Sequence, residues 1–290
     1  MDIGTLAIQL LNALQYGLVL FLVASGLTLV FGILGVINLA HGAFYMLGAY
    51  LAWWFTASTG SLAAGILGAF VVSFILGLVL ETVFIKRLYG RDHLSQVLLS
   101  FGLILVLDEV RQMLFGRDVQ SVPLPGWLSG TVTLTDIQSY PHYRLALIVF
   151  CLLVAVAIFL VINRTRIGMI VRAGAENREM TRVLGIPFDR VNRLVFAVGI
   201  ALAALAGAVI APVSTVFPGM GDGMLILSFV VVVLGGIGSV PGAAIGALLV
   251  GVIDTFGKVF LPEIAGMLIY VVMAAVLLWR PTGILGKREI

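Results

Sequence analysis

Asn38 and His41 sit in Gly32-Ile-Leu-Gly-Val-Ile-Asn-Leu-Ala-His-Gly-Ala-Phe-Tyr-Met-Leu-Gly48, a stretch whose other residues are nearly all lipid-soluble. An amide and an imidazole at membrane depth are costly unless they meet a partner or a water-filled path. Their three-residue spacing places both on one face if the segment is helical, with Tyr45 a turn further along. Glycines at 32, 35, 42 and 48 let the backbone bend or be approached closely. These residue types suit the passage of a polar solute, and Asn38, His41, Gly42 and Tyr45 are the candidates for lining its path. A hydrogen bond between helices explains the same pair equally well, and the two roles are compatible.

A second apolar run is interrupted in the same manner, at Gly235-Gly-Ile-Gly-Ser-Val-Pro-Gly242. Interrupted segments at corresponding places in two halves of a chain point to a transport site. Gly236, Gly238 and Ser239 therefore join the candidates, on the side opposite the first stretch.

The basic connection Arg164 to Arg193 carries different chemistry. A short amphipathic helix fits residues 174–184, with Met180, Val183 and Leu184 on one face and Glu176, Asn177 and Arg178 polar, and Gly185 followed by Pro187 stops it. The bland reading is an ordinary solvated loop. A helix with its own stop signal favours docking to another protein, with Glu176 meeting a partner's basic residue.

Other charges fall within apolar runs. Asp108 and Glu109 lie beside Arg111 and Gln112, and Asp254 and Lys258 are spaced for a pair one helical turn apart. A lone charge at a helix centre costs about 2.5–3.5 kcal/mol on insertion scales, so local pairing or interfacial placement is expected. The alternative makes Asp108, Glu109 or Asp254 the coupling carboxylate of a stand-alone, ion-driven carrier. The three histidines, at 41, 93 and 142, do not form a metal set, and no other metal or cofactor site is expected. Cys151 reads as a packed side chain. No Gly-x-x-x-x-Gly-Lys-Ser/Thr loop occurs, so the chain is not expected to hydrolyse ATP; Gly283-Ile-Leu-Gly-Lys287 is too short.

The elements that position these residues follow from composition. With 61% hydrophobic and 11% charged residues, the chain departs far from the soluble balance and is an integral membrane protein. Apolar runs fall at about 5–34, 36–58, 61–85, 94–115, 143–163, 194–212, 225–240, 242–260 and 264–280, which predicts an all-α, polytopic transmembrane bundle. Eight or nine of them cross, because 36–58 and 225–240 each read either as a full span or as a broken, re-entrant helix. Residues 1–290 form one transmembrane domain. Small residues at four-residue spacing, as at Gly199, Ala203, Gly207 and Ala211, read as close helix contacts.

Charge sets the orientation. Lys86, Arg87 and Arg91 follow the third run, and seven arginines lie between Arg164 and Arg193, so those connections, 164–193 included, face the cytoplasm. Residues 116–142, rich in proline and poor in cations, belong outside. Arg280, Lys287 and Arg288 place the C-terminus inside. The N-terminus is outside with nine crossings and inside with eight, and Met1-Asp2-Ile3-Gly4 does not resemble a cleaved signal peptide.

Three motifs carry a family resemblance: Ile37-Asn-Leu-Ala-His-Gly-Ala-Phe-Tyr-Met-Leu-Gly-Ala-Tyr50, the connection from Arg172-Ala-Gly-Ala-Glu-Asn through Leu184-Gly-Ile186, and Gly235-Gly-Ile-Gly-Ser-Val-Pro-Gly-Ala243. In order and spacing, over essentially the whole chain, they resemble the LivH-type permease family of branched-chain amino acid ABC importers. That resemblance implies a bacterial inner-membrane permease that moves branched-chain amino acids, or a related amide, urea or aromatic acid, into the cytoplasm. It also implies a second related permease, two cytoplasmic ATPase subunits and an extracytoplasmic solute-binding protein. Ala173 to Ile186 would then be the segment seated on an ATPase, with Arg172, Ala173, Ala175, Glu176, Asn177, Met180, Gly185 and Ile186 at the contact. The chain has Ala-Gly-Ala-Glu-Asn where other ABC importers carry Glu-Ala-Ala.

Overall fold

The computed structural model describes residues 3–135, 138–176, 180–181 and 188–286. Among these, nine helices run along a bundle: α1 (Ile3–Leu29), α2 (His41–Thr59), α3 (Leu62–Val83), α4 (His93–Phe115), α5 (His142–Arg164), α7 (Phe188–Ile210), α8 (Met220–Gly235), α9 (Val240–Phe260) and α10 (Ala265–Trp279). A shorter helix, α6 (Arg166–Glu176), follows α5. Each of the nine apolar runs thus yields one helix. Five are long and apolar enough to cross a membrane: α1 with its extension to Leu34, α3, α5, α7 and α9, whereas α8 and α10 are apolar but shorter.

Burial sorts the helices by role. The most apolar window of α1 is 83% buried, against 17% for α5. An apolar helix buried on all sides is a core element, and one exposed over most of its face needs lipid or a partner. Accordingly α1 packs on α5, α7, α8 and α9, while α2 packs on α3, α7 and α8. Small residues permit this closeness: Gly199 faces Gly26, and Gly207 faces the backbone of Tyr45.

Contacts at the termini show the chain direction. Thr5 bonds Gln138 of a hairpin formed by β1 (Thr131–Thr135) and β2 (Gln138–Pro141), part of the 116–142 connection. Ile284 instead bonds the Leu234 carbonyl at the far end of α8, beside the turn where Gly238 meets Gly32. Thr5 and Ile284 therefore lie at opposite ends of the bundle.

Two features depart from the sequence reading. α1 closes in a π turn, Val30–Leu34, with Gly35 in the left-handed region at φ 63°. Residues 35–40 are then non-helical, and α2 starts only at His41. Asn38 consequently shares no helix face with His41. Its Oδ1 accepts from the Ala40 N–H at 3.1 Å, the local bond by which asparagine competes with helix. The run 36–58 is thus a broken segment with a helix in its later part.

Candidate functional site

His41 opens α2 deep in the bundle and is fully buried. Its Nε2 lies 2.9 Å from the Val23 carbonyl of α1. A carbonyl only accepts, so Nε2 carries the proton and Nδ1 is left as an acceptor. Among the described residues, neither Nδ1 nor the Asn38 Nδ2 has a hydrogen-bond partner, and both are buried. Buried polar atoms of this kind are rare because each costs about 1–3 kcal/mol when unpaired.

Glycines close the layer around them. A β-carbon on Gly42 would strike the Gly221 carbonyl, and one on Gly221 would strike the Gly42 carbonyl, so the first turns of α2 and α8 cross with backbones touching. Toward the α6 end, a β-carbon on Gly32 would lie 2.5 Å from the Gly238 Cα. The two glycine-interrupted stretches therefore meet in space. Gly236 is buried, Gly238 is exposed with φ 78°, and the half-buried Ser239 caps α9 by accepting from the Gly242 N–H at 3.1 Å.

Tyr45, one turn along α2 from His41, reaches a different environment. It helps line a cavity of about 560 Å³ with Gln9, Asn12, Gln15 and Tyr16 of α1, Arg144 of α5 and Asp254 and Lys258 of α9. The sequence reading passed over most of this lining. Its signal was present in the three-residue spacing of Gln9, Asn12 and Gln15, which draws a stripe of amides down one face of an apolar helix. The hairpin reaches the same stripe: the Tyr140 hydroxyl lies 3.2 Å from Asn12 Oδ1 and 3.3 Å from Gln15 Oε1.

Asp254 and Asp108 pair one helical turn away, as their spacing predicts. Lys258 Nζ is 2.6 Å from Asp254 Oδ2. Arg111, almost fully buried, donates to Asp108 Oδ1 at 2.9–3.0 Å and to the Gly116 carbonyl, with Tyr50 beneath its guanidinium. Asp108 and Asp254 are thus ion-paired, which removes the reason to read either as a free coupling carboxylate.

At the opposite end, α6 carries Arg172, Ala173, Ala175 and Glu176, all exposed. Arg172 bonds the Ile162 carbonyl and lies 3.4 Å from Asn163 Oδ1, so its guanidinium holds the end of α5 rather than projecting away. Met169 and Met180 are exposed by 58% and 59%, and Thr181 ties back to the Ala173 carbonyl at 3.2 Å. Asn177, Gly185 and Ile186, with most of the helix expected over 174–184, lie outside the described residues. So do Lys287 and Arg288.

Ion pairs that no local pattern signalled join α3 and the turn just after it to the start of α7. Glu81, fully buried, is 3.5 Å from Arg193 and accepts from the Tyr89 hydroxyl at 3.0 Å, and Lys86 pairs with Asp189 at 2.7 Å. Gln96 Oε1 of α4 accepts from the Ile37 N–H at 3.3 Å, which fixes the non-helical stretch before α2.

Residues 9–277 match the family described as branched-chain amino acid transport system, permease component. The high-affinity branched-chain amino acid transport system permease protein BraD of Pseudomonas aeruginosa is 35% identical over 97% of this chain and 96% of its own length. The corresponding LivH protein of Escherichia coli K12 is 33% identical over the same shares. The permease protein LivM of that organism is 26% identical over 92% of this chain and 68% of its own. No solved structure matches the chain.

Proposed function

The chain belongs to the family of branched-chain amino acid transport permeases, and from that premise we propose that it carries a branched-chain amino acid or a related small solute inward across the bacterial cytoplasmic membrane. The observation that carries the reading is near full-length similarity to permeases of high-affinity branched-chain amino acid systems. Similarity to LivM-type as well as LivH-type proteins supports pairing with a second, related permease. ATP hydrolysis belongs to two separate ATPase subunits, and high affinity belongs to a solute-binding protein, since a pathway that binds tightly releases slowly.

The path runs from the cavity at Tyr45 past His41, Gly42 and Asn38, then between Gly32 and the turn carrying Gly236, Gly238 and Ser239. In the described arrangement this lower part is shut by backbone contact. Alternating access opens it, and the unpaired His41 Nδ1 and Asn38 Nδ2 then gain solute or water as partners. The energy enters at the connection 164–193 on the cytoplasmic side, where Ala173, Ala175, Glu176, Asn177, Met180, Gly185 and Ile186 dock on an ATPase and Arg172 braces the docking helix. From there the Glu81–Arg193 and Lys86–Asp189 pairs pass movement of α7 to α3. The C-terminus lies on the same side.

The test is reconstitution with the partner subunits and the binding protein in proteoliposomes. ATP-dependent leucine uptake is expected, with loss of the co-purifying ATPase on Glu176→Arg or on deletion of 174–184. Uptake driven by an ion gradient with no ATPase present overturns the reading. Unchanged transport at normal expression in both Asn38→Ala and His41→Ala removes those residues from the path.

A further inference from the structure

The polar cavity beside Tyr45 holds charges of both signs that are handled unequally. Asp254 is paired with Lys258 at 2.6 Å, and the amine also lies 5.7 Å from the Tyr16 ring centre. Arg144 has no carboxylate partner among the described residues. Its Nη1 donates to Asn12 Oδ1 at 3.1 Å, an oxygen already approached by the Tyr140 hydroxyl. With one carboxylate and two cations, the lining has a surplus positive charge, and Arg144 carries it.

Guanidinium is built for carboxylate: its donors lie in one plane and engage both oxygens at once. The amide oxygens of Asn12 and Gln15 fix Arg144 and Tyr140 from the α1 side, which holds the guanidinium ready. The rest of the wall includes Val19, Ile210, Val213 and Met224, an apolar surface beside the charge. At about 560 Å³ the space falls in the range of small-molecule sites. A solute that carries a carboxylate and a short aliphatic chain matches charge to charge and apolar to apolar.

We propose that this cavity is a receiving site for an aliphatic amino acid, with the α-carboxylate on Arg144 and the side chain against the Val19 and Ile210 wall. The inference rests on the transport reading and narrows it, because a urea or a simple amide offers Arg144 no charge. Occupancy here precedes passage beyond Tyr45, so the site acts before the closed layer at His41 opens.

The test uses the assembled importer carrying Cys151→Ser and Thr255→Cys, so that the one thiol in this chain lies on the cavity wall. Labelling by a water-soluble methanethiosulfonate is followed with leucine or leucinamide, which keeps the side chain and the amine but lacks the carboxylate. Millimolar leucine is expected to slow labelling at least fivefold, and leucinamide to leave it unchanged. Arg144→Gln should abolish protection by leucine while the rate without solute stays the same, which shows an intact cavity, and Arg144→Lys should keep part of the protection. Equal protection by leucinamide, or full protection in Arg144→Gln, overturns the proposal. ATP-driven leucine uptake by the same preparation without any protection overturns the receiving site and leaves the transport reading standing. Absence of ATP-driven uptake of any solute by the complex without these substitutions overturns both.

Discussion

Tyr45 and His41 are one helical turn apart on α2, yet they border two regions built on opposite terms. Above Tyr45 the walls carry Gln9, Asn12, Gln15, Arg144, Asp254 and Lys258, and these groups face a cavity and pair with one another, as Arg144 does with Asn12 and Lys258 with Asp254. Below it, His41 and Asn38 lie in a layer where α2 meets α8 with no side chain between Gly42 and Gly221. In the first region polar groups are satisfied and have room. In the second they are only half satisfied and have none. An importer needs both, a place where solute is accepted and a barrier that yields only when driven, and the contrast locates the boundary at a single turn of helix.

Substitutions in the closed layer should have the largest effects, because overpacking there has no flexible side chain to absorb it. Gly221→Val is expected to destabilise the fold by about 3 kcal/mol, read as a lower melting temperature and a smaller monodisperse fraction in detergent. His41→Ala removes the bond to the Val23 carbonyl and should cost about 1–2 kcal/mol. The difference in melting temperature from the unsubstituted protein should be insensitive to salt, since the lost bond is between uncharged partners. A strong salt dependence would mean that His41 is charged and that the layer is wetter than its packing suggests.

The cavity answers differently. Lys258 is 64% exposed although its partner Asp254 is mostly buried, so Lys258→Gln should change stability by less than about 1 kcal/mol. Raising ionic strength should erase what difference there is, because an exposed pair is screened over about 8–10 Å. Equal salt dependence in His41→Ala and Lys258→Gln would dissolve the distinction between the regions.

Much of this was legible in the residues themselves. The apolar runs mark the nine bundle helices among the described residues, since hydropathy reports removal from water, and the Asp254–Lys258 and Asp108–Arg111 pairs follow from spacing on a helix. Asn38 and His41 stand out because polar atoms in such a run need a reason. The break between α1 and α2 was only half visible. Hydropathy is blind to backbone register, so the π turn at Val30–Leu34 and the late start of α2 had no apolar signature. Glu81 and Arg193 meet through tertiary packing alone. The hairpin had a signal in Thr131-Val-Thr-Leu-Thr135, an alternation proper to a strand, and the amide stripe of α1 had one in its spacing. Both are weak beside hydrophobic runs of this length.

The smallest effect should come from Asp92, far from the cavity but linked to the closed layer. Asp92 caps α4 by accepting from the Ser95 hydroxyl at 2.6 Å and from the Ser95 N–H at 3.3 Å. One turn on, Gln96 holds the Ile37 N–H at the approach to His41. The Ser95 hydroxyl bond, with the backbone N–H adding to it, holds the Asp92 carboxyl below its ordinary value of 3.8. A group whose folded value is lowered stabilises fully above its unfolded value and loses that contribution as pH falls through the folded one. Amide exchange at Ser95 and Gln96 should therefore quicken as pH drops below about 3.8, after correction for the intrinsic rate. Asp92→Asn keeps a capping oxygen without a titrating proton and should flatten the profile. If Asp92→Asn leaves the profile unchanged, the acid sensitivity belongs to another carboxylate. If acid exposes the Ile37 amide along with that of Ser95, the cap and the closed layer move together, and the closed layer extends to the start of α4.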